Sequence, residues 1–127
     1  MPRGTETLLV VEDEPAVRRL AGRILEAQGY EVLKAFNGQH ALHLARENKG
    51  APIRLVVTDV IMPLTGGKVM ADWLTNIYPD LRVLFTSGHT DDALGPHGVI
   101  DAGVEFLAKP YSPETLTCKV REMLDAA

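Results

Sequence analysis

The chain has 127 residues, 46% of them apolar and 24% charged, with a formal net charge of −4. That is enough for one domain (residues 1–127) with a real core, and the mild acidity argues against direct nucleic-acid binding, which shows as a basic patch. No window reaches the roughly 18 unbroken apolar residues of a membrane span, and the one cysteine, Cys118, excludes an internal disulfide and fits a reducing cytoplasm.

The N-terminal stretch Met1 to Thr7 has no long apolar region and does not read as a signal peptide. Leu8 to Val11 reads as a buried strand, and Glu12-Asp13-Glu14-Pro15 follows at once. Pro15 suits a first helical turn, and an acidic residue such as Asp13 suits the cap before it. Val17, Leu20, Ala21, Ile24 and Leu25 then recur at helical spacing, and Gly29 ends the helix. Glu31 to Ala35 is a second strand. Asn37-Gly38 turns the chain into a helix near Gln39 to Glu47, and Gly50-Ala51-Pro52 breaks it.

Leu55 to Val57 is a continuous apolar run, the pattern of a strand covered on both faces, and Asp59 falls where it should end. Gly66-Gly67 opens a third helix whose apolar stripe is Val69, Met70, Trp73, Leu74 and Ile77. Leu81 to Phe85 is a fourth strand ending in Thr86-Ser87-Gly88, and Val104 to Leu107 a fifth ending in Lys109-Pro110. The glycines and proline between His89 and Gly103 predict at most a turn or two of helix there, then irregular chain. Ser112-Pro113-Glu114 launches a last helix with Leu116, Val120, Met123 and Leu124 inward and Cys118 outward. Strands alternating with helices give an α/β fold, a parallel sheet covered on both faces.

The residues that can do chemistry fall at strand ends: Glu12 and Asp13, Asp59, Ser87, and Lys109. In a parallel sheet those ends share one edge, where ligands bind. Converging carboxylates repel, by about 4 kcal/mol per pair at about 4 Å and an effective dielectric near 20. Lys109 offsets part of this and a divalent ion more. Mg2+ suits such a set because it takes one or two carboxylates and keeps several waters. An aspartate can accept a phosphoryl group as an acyl phosphate, and such transfer depends on positioning and charge neutralisation.

Glu-Asp after the first strand, Asp-Val-Ile-Met-Pro after the third, Ser-Gly after the fourth, Lys-Pro after the fifth and Gly67 eight residues past Asp59 resemble the receiver domain of two-component response regulators. The likeness runs over roughly residues 6 to 125 and is nearest to the C-terminal receivers of hybrid sensor histidine kinases. It implies a doubly wound, flavodoxin-like sheet of order 2-1-3-4-5 with a short or irregular fourth helix. It implies that Asp59 takes a phosphoryl group from a phosphohistidine on a histidine kinase or phosphotransfer protein, acting as a signalling module and not as an enzyme on a small substrate. Glu12, Asp13, Asp59 and the Ile61 carbonyl would hold Mg2+, or Mn2+ in its place, Asp13 directly and Glu12 through water. Ser87 would hydrogen-bond the phosphoryl group and Lys109 pair with it, with Lys109-Pro110 cis. Ser87 and Phe106 would be the switch pair, and Ile61 and His89 would tune dephosphorylation. An output partner, fused or separate, would read the change; neither nucleic acid nor membrane is expected as a direct partner.

Other readings are weaker. A receiver-like interaction module working without phosphorylation has no need of the acidic set and Lys109. A flavin site wants a phosphate loop after the first strand, and an aspartate-dependent phosphatase an Asp-x-Asp there; Glu12-Asp13-Glu14-Pro15 is neither. His40 and His43, three apart, read as a solvated helix face and not as a metal pair. Trp73 and Met70 read as core.

Overall fold

The structure, a computed structural model, describes residues 3–59, 67–87 and 105–126. Among them β1 (Thr7–Val11), β2 (Glu31–Ala35), β3 (Ile53–Asp59), β4 (Arg82–Ser87) and β5 (Phe106–Ala108) form one sheet of order β2-β1-β3-β4-β5 with every adjacent pair parallel. The helices are α1 (Pro15–Ala27), α2 (Gly38–Glu47), α3 (Gly67–Ile77) and α4 (Pro113–Asp125), the last helix of the chain. None of the described helices is long and apolar enough to cross a membrane. The irregular stretch expected over His89 to Gly103, and the positions Ile61 and His89, lie outside the described residues.

Local sequence explains where these elements start. Asn37 Oδ1 accepts from His40 N at 2.7 Å to cap α2. Ser112 and Thr115 form a reciprocal capping box ahead of α4, with Pro113 in its first turn. The cap of α1 differs from expectation: Glu14, not Asp13, fills it, its carboxylate accepting from Ala16 N at 3.3 Å. Pro15 holds the first helical position, so the residue directly before it is the cap, and Asp13 is left outside the helix. Gly29 stands at φ +102, a left-handed geometry that favours glycine after a helix end.

The sheet separates two apolar layers. Leu8, Val10, Leu55, Val57 and Leu84 pack against Ala21, Ile24 and Leu25 of α1 and Leu116, Val120, Met123 and Leu124 of α4. On the other side Leu9, Val11, Ile53 and Val56 pack with Ala41 and Ala45 of α2 and Met70 and Leu74 of α3. Neighbouring residues of β1 thus serve opposite layers, which is why all five are apolar or buried. Burying each large side chain contributes roughly 1.5–3 kcal/mol before entropy is counted.

The helical stripes are narrower than their sequences suggest. In α3 only Met70 and Leu74 of the apolar set are buried; Val69, Trp73 and Ile77 lie on the outer flank, Trp73 at 38% exposure. Trp73 is therefore not core. Leu20 of α1 is likewise half exposed. Periodicity marks the apolar side of a helix, but a flat sheet covers only the middle of that side. Cys118 is exposed, as expected.

Candidate functional site: an acidic pocket at the strand ends

The register brings the strand ends level. Val11 pairs with Thr58, so Glu12 follows beside Asp59; Asp59 pairs with Thr86, and Ser87 pairs with Ala108, directly before Lys109. Glu12, Asp13 and Asp59 each present a carboxylate oxygen, and these lie within 4.8 Å of one another. Lys109 Nζ donates to Asp59 Oδ2 at 2.8 Å and also to Glu12 Oε1. Four of the residues expected from the sequence therefore meet. Ser87 ends β4 at the same edge, and Phe106 is half buried at the start of β5, paired with Phe85. Lys109-Pro110 is cis.

Glu12 is the most constrained member, at 4% exposure. Its N–H donates to Ala35 O at 3.1 Å, its Oε2 accepts from Glu14 N at 3.1 Å, and its carbonyl accepts from the Arg18 guanidinium at 2.7 Å. Burial pushes its carboxyl above the ordinary value, against the opposing pull of Lys109 and the Glu14 amide. For Lys109, burial alone would lower the pKa, but hydrogen bonds to Asp59 and Glu12 prevail and raise it. The two directions agree physically. Glu12 loses more hydration than one lysine replaces, whereas Lys109 gains two anions. Tyr111, two residues beyond Lys109, feels the charges of Lys109, Glu12 and Asp59, and its burial raises its own pKa.

Among the described residues, three carboxylates face the Lys109 ammonium, an acidic balance. Asp13 is exposed, which leaves water a way in. That donor set fits a hard divalent cation of the Mg2+ type, bound by oxygen and retaining waters. By contrast His40 and His43 do not form a metal pair: His40 Nδ1 accepts from Phe36 N at 3.1 Å and its ring lies against Phe36, while His43 is exposed. Two contributors were not visible in the sequence, Glu14 and Arg18. Glu14 contributes through its backbone N–H, and Arg18 reaches a carbonyl six residues back, outside any cap spacing.

A model of the response regulator receiver domain matches residues 8–121. The chain belongs to the response regulator receiver family. As a receiver domain it is 39% identical over 122 residues to the sensor kinase CckA of Brucella abortus (strain 2308), covering 96% of this chain and 13% of the kinase. It is 33% identical over 120 residues to the response regulator receiver protein CpdR of the same organism, covering 94% of this chain and 98% of that protein. The crystal structure of the receiver domain from the hybrid histidine kinase CckA superposes with a TM-score of 0.78 at 39% identity, over 94% of this chain and 99% of that one. A receiver domain from Clostridium thermocellum gives 0.79 at 27% identity over 94% of each chain. The receiver domain described here is thus a module of two-component signalling, similar to the receivers of hybrid kinases, and such modules are not enzymes acting on small substrates.

Proposed function

We propose that residues 1–127 act as one phosphoacceptor unit in a two-component phosphorelay, with Asp59 taking the phosphoryl group of a phosphohistidine on a histidine kinase or phosphotransfer protein. The observation that carries this reading is the shared bond of Lys109 to Asp59 and Glu12, beside the exposed Asp13. A carboxylate oxygen of Asp59 attacks phosphorus, the phosphorus–nitrogen bond breaks, and the imidazole keeps the electron pair. The product is an acyl phosphate on Asp59.

Attack by a carboxylate oxygen removes no proton, so the step needs no general base. Lys109 turns from the carboxylate to the arriving phosphoryl oxygens and offsets their charge. Mg2+, or Mn2+ in its place, bound by Glu12, Asp13, Asp59 and the Ile61 carbonyl, would supply further positive charge there. The Ser87 hydroxyl donates to the phosphoryl group, and Phe106 reorients behind it, altering the surface near β5 and α4 for a fused or separate output partner. The work is done in the cytoplasm, with no direct nucleic-acid or membrane contact.

Incubation with acetyl phosphate and Mg2+ followed by intact mass measurement tests this. One phosphoryl adduct is expected in the wild type and none in Asp59→Asn. An unmodified wild type that also shows no spectral response to beryllofluoride would overturn the reading, leaving a receiver-like interaction module that works without phosphorylation.

A further inference from the structure

We propose that Arg18 is a positioning residue for the cation pocket, acting through the backbone of Glu12; this rests on the pocket's proposed role as the Mg2+ site. Arg18 sits in the second turn of α1 and reaches back over the β1–α1 turn, its Nη1 donating to the Glu12 carbonyl at 2.7 Å. That carbonyl lies just past the last β1 ladder position, and among the described residues no backbone N–H bonds it. A bond from a guanidinium is charge-assisted and stronger than a neutral one. With Glu12 N tied to Ala35 O, the Glu12 peptide is held on both sides.

The peptide after Glu12 carries Asp13. Its exposed carboxylate has no helix-capping duty, because Glu14 performs it. What aims Asp13 at Asp59 is therefore the backbone orientation that Arg18 sets. Among the described residues Arg18 makes no ion pair with a carboxylate; it holds the frame on which two of them are mounted. Residues that orient metal ligands in this way typically change affinity 10–100-fold when removed.

Positioning and simple electrostatics predict opposite signs, which makes the idea testable. A cation near the pocket repels Mg2+, so deleting the Arg18 charge without any positioning role would tighten binding. Loss of the frame would weaken it. Titrate Mg2+ into the full chain by calorimetry for wild type, Arg18→Met, Arg18→Lys and, as a charge control, Arg19→Met, whose native side chain is exposed. We expect Arg18→Met to weaken binding about tenfold, Arg18→Lys to fall between, and Arg19→Met to stay within about twofold. At saturating Mg2+ the rate of adduct formation from acetyl phosphate in Arg18→Met should return to that of the wild type. In metal-free protein the Glu14 amide hydrogen, which bonds Glu12 Oε2, should exchange faster in Arg18→Met while those of β3 do not.

Unchanged or tighter Mg2+ binding in Arg18→Met overturns the proposal, as does a rate deficit that saturating Mg2+ leaves in place. Should Arg18→Met fail to fold, Arg18→Lys decides by the same two readouts. If the wild type itself takes up no Mg2+, the function proposed above fails, and the metal-free exchange comparison still judges Arg18 alone.

Discussion

Lys109 and Asp59 stand 50 residues apart in the chain, yet the lysine ammonium bonds the aspartate at 2.8 Å and Glu12 as well. One cation therefore serves two anions, one of them almost wholly buried. Lys109→Met takes the cationic partner from Glu12 and leaves it the Glu14 N–H, which should cost about 3–5 kcal/mol in metal-free protein. Glu12 already has a raised pKa, and losing Lys109 raises it further. A carboxyl of this kind favours the folded state when protonated and loses that advantage as pH rises through its folded value. The destabilisation should be larger at pH 8 than at pH 5 in urea unfolding, and equal losses at both would show that Glu12 does not depend on the lysine.

Excess negative charge in the pocket makes a second expectation. Mg2+ at about ten times its Kd should stabilise the fold by about 1.4 kcal/mol, or roughly 4–6 °C in Tm. Asp13→Asn should abolish most of that shift and modestly raise the metal-free Tm, because it relieves repulsion from Glu12 and Asp59 while Asp13, being exposed, caps nothing. A differential scan with and without Mg2+ reads both effects. A metal-free Tm that drops sharply in Asp13→Asn would contradict the assignment of the cap to Glu14.

Acid sensitivity traces to a different pair. Arg121 grips Glu6 with two bonds, Nη2 to Oε2 at 2.7 Å and Nη1 to Oε1 at 3.1 Å, and holds its carboxyl down at about 2. Linkage sets an upper value of about 3 kcal/mol for this shift, and solvent at a partly exposed pair brings it to about 1–2 kcal/mol. The contribution is complete above the ordinary glutamate value of about 4.5 and disappears as pH falls toward 2. Glu6→Gln should therefore lose stability at pH 7 and show a flatter decline between pH 5 and 2. Parallel curves for variant and wild type would assign the acid transition elsewhere.

Half-exposed Trp73 gives a fourth. Trp73→Ala should cost under about 1.5 kcal/mol, whereas Met70→Ala, one turn earlier and fully buried, should cost about 2–5 kcal/mol. Acrylamide should quench the tryptophan fluorescence readily in the native protein. Weak quenching together with a large cost for Trp73→Ala would place the ring in the core after all.

Much of this was legible in the sequence, for identifiable reasons. Apolar runs such as Leu8–Val11 and Leu55–Val57 give way within two residues to acidic ones, so strand ends could be located to within a residue or two, and a parallel sheet does the rest by aligning them. That is why Glu12, Asp13, Asp59 and Lys109 could be grouped before any distance was known. Depth was harder to see. Val69, Trp73 and Ile77 share a helical side with Met70 and Leu74, but only the latter two reach the sheet. Long-range side-chain bonds were invisible as well: nothing local links Glu6 to Arg121, 115 residues away, or tells that Arg18 bonds a peptide carbonyl and not a carboxylate.

The sheet that holds the pocket is also a partition. Leu8 and Val10 answer to α1 and α4, Leu9 and Val11 to α2 and α3, so consecutive residues of one strand belong to separate packing compartments. Double substitutions such as Leu8→Ala with Leu116→Ala should be non-additive, while Leu8→Ala with Met70→Ala should sum. Drift in the α2–α3 layer can then accumulate without being felt by α1 and α4. A fold divided in this way can acquire a new surface on one side while the other side, and the pocket at their common edge, stay as they were.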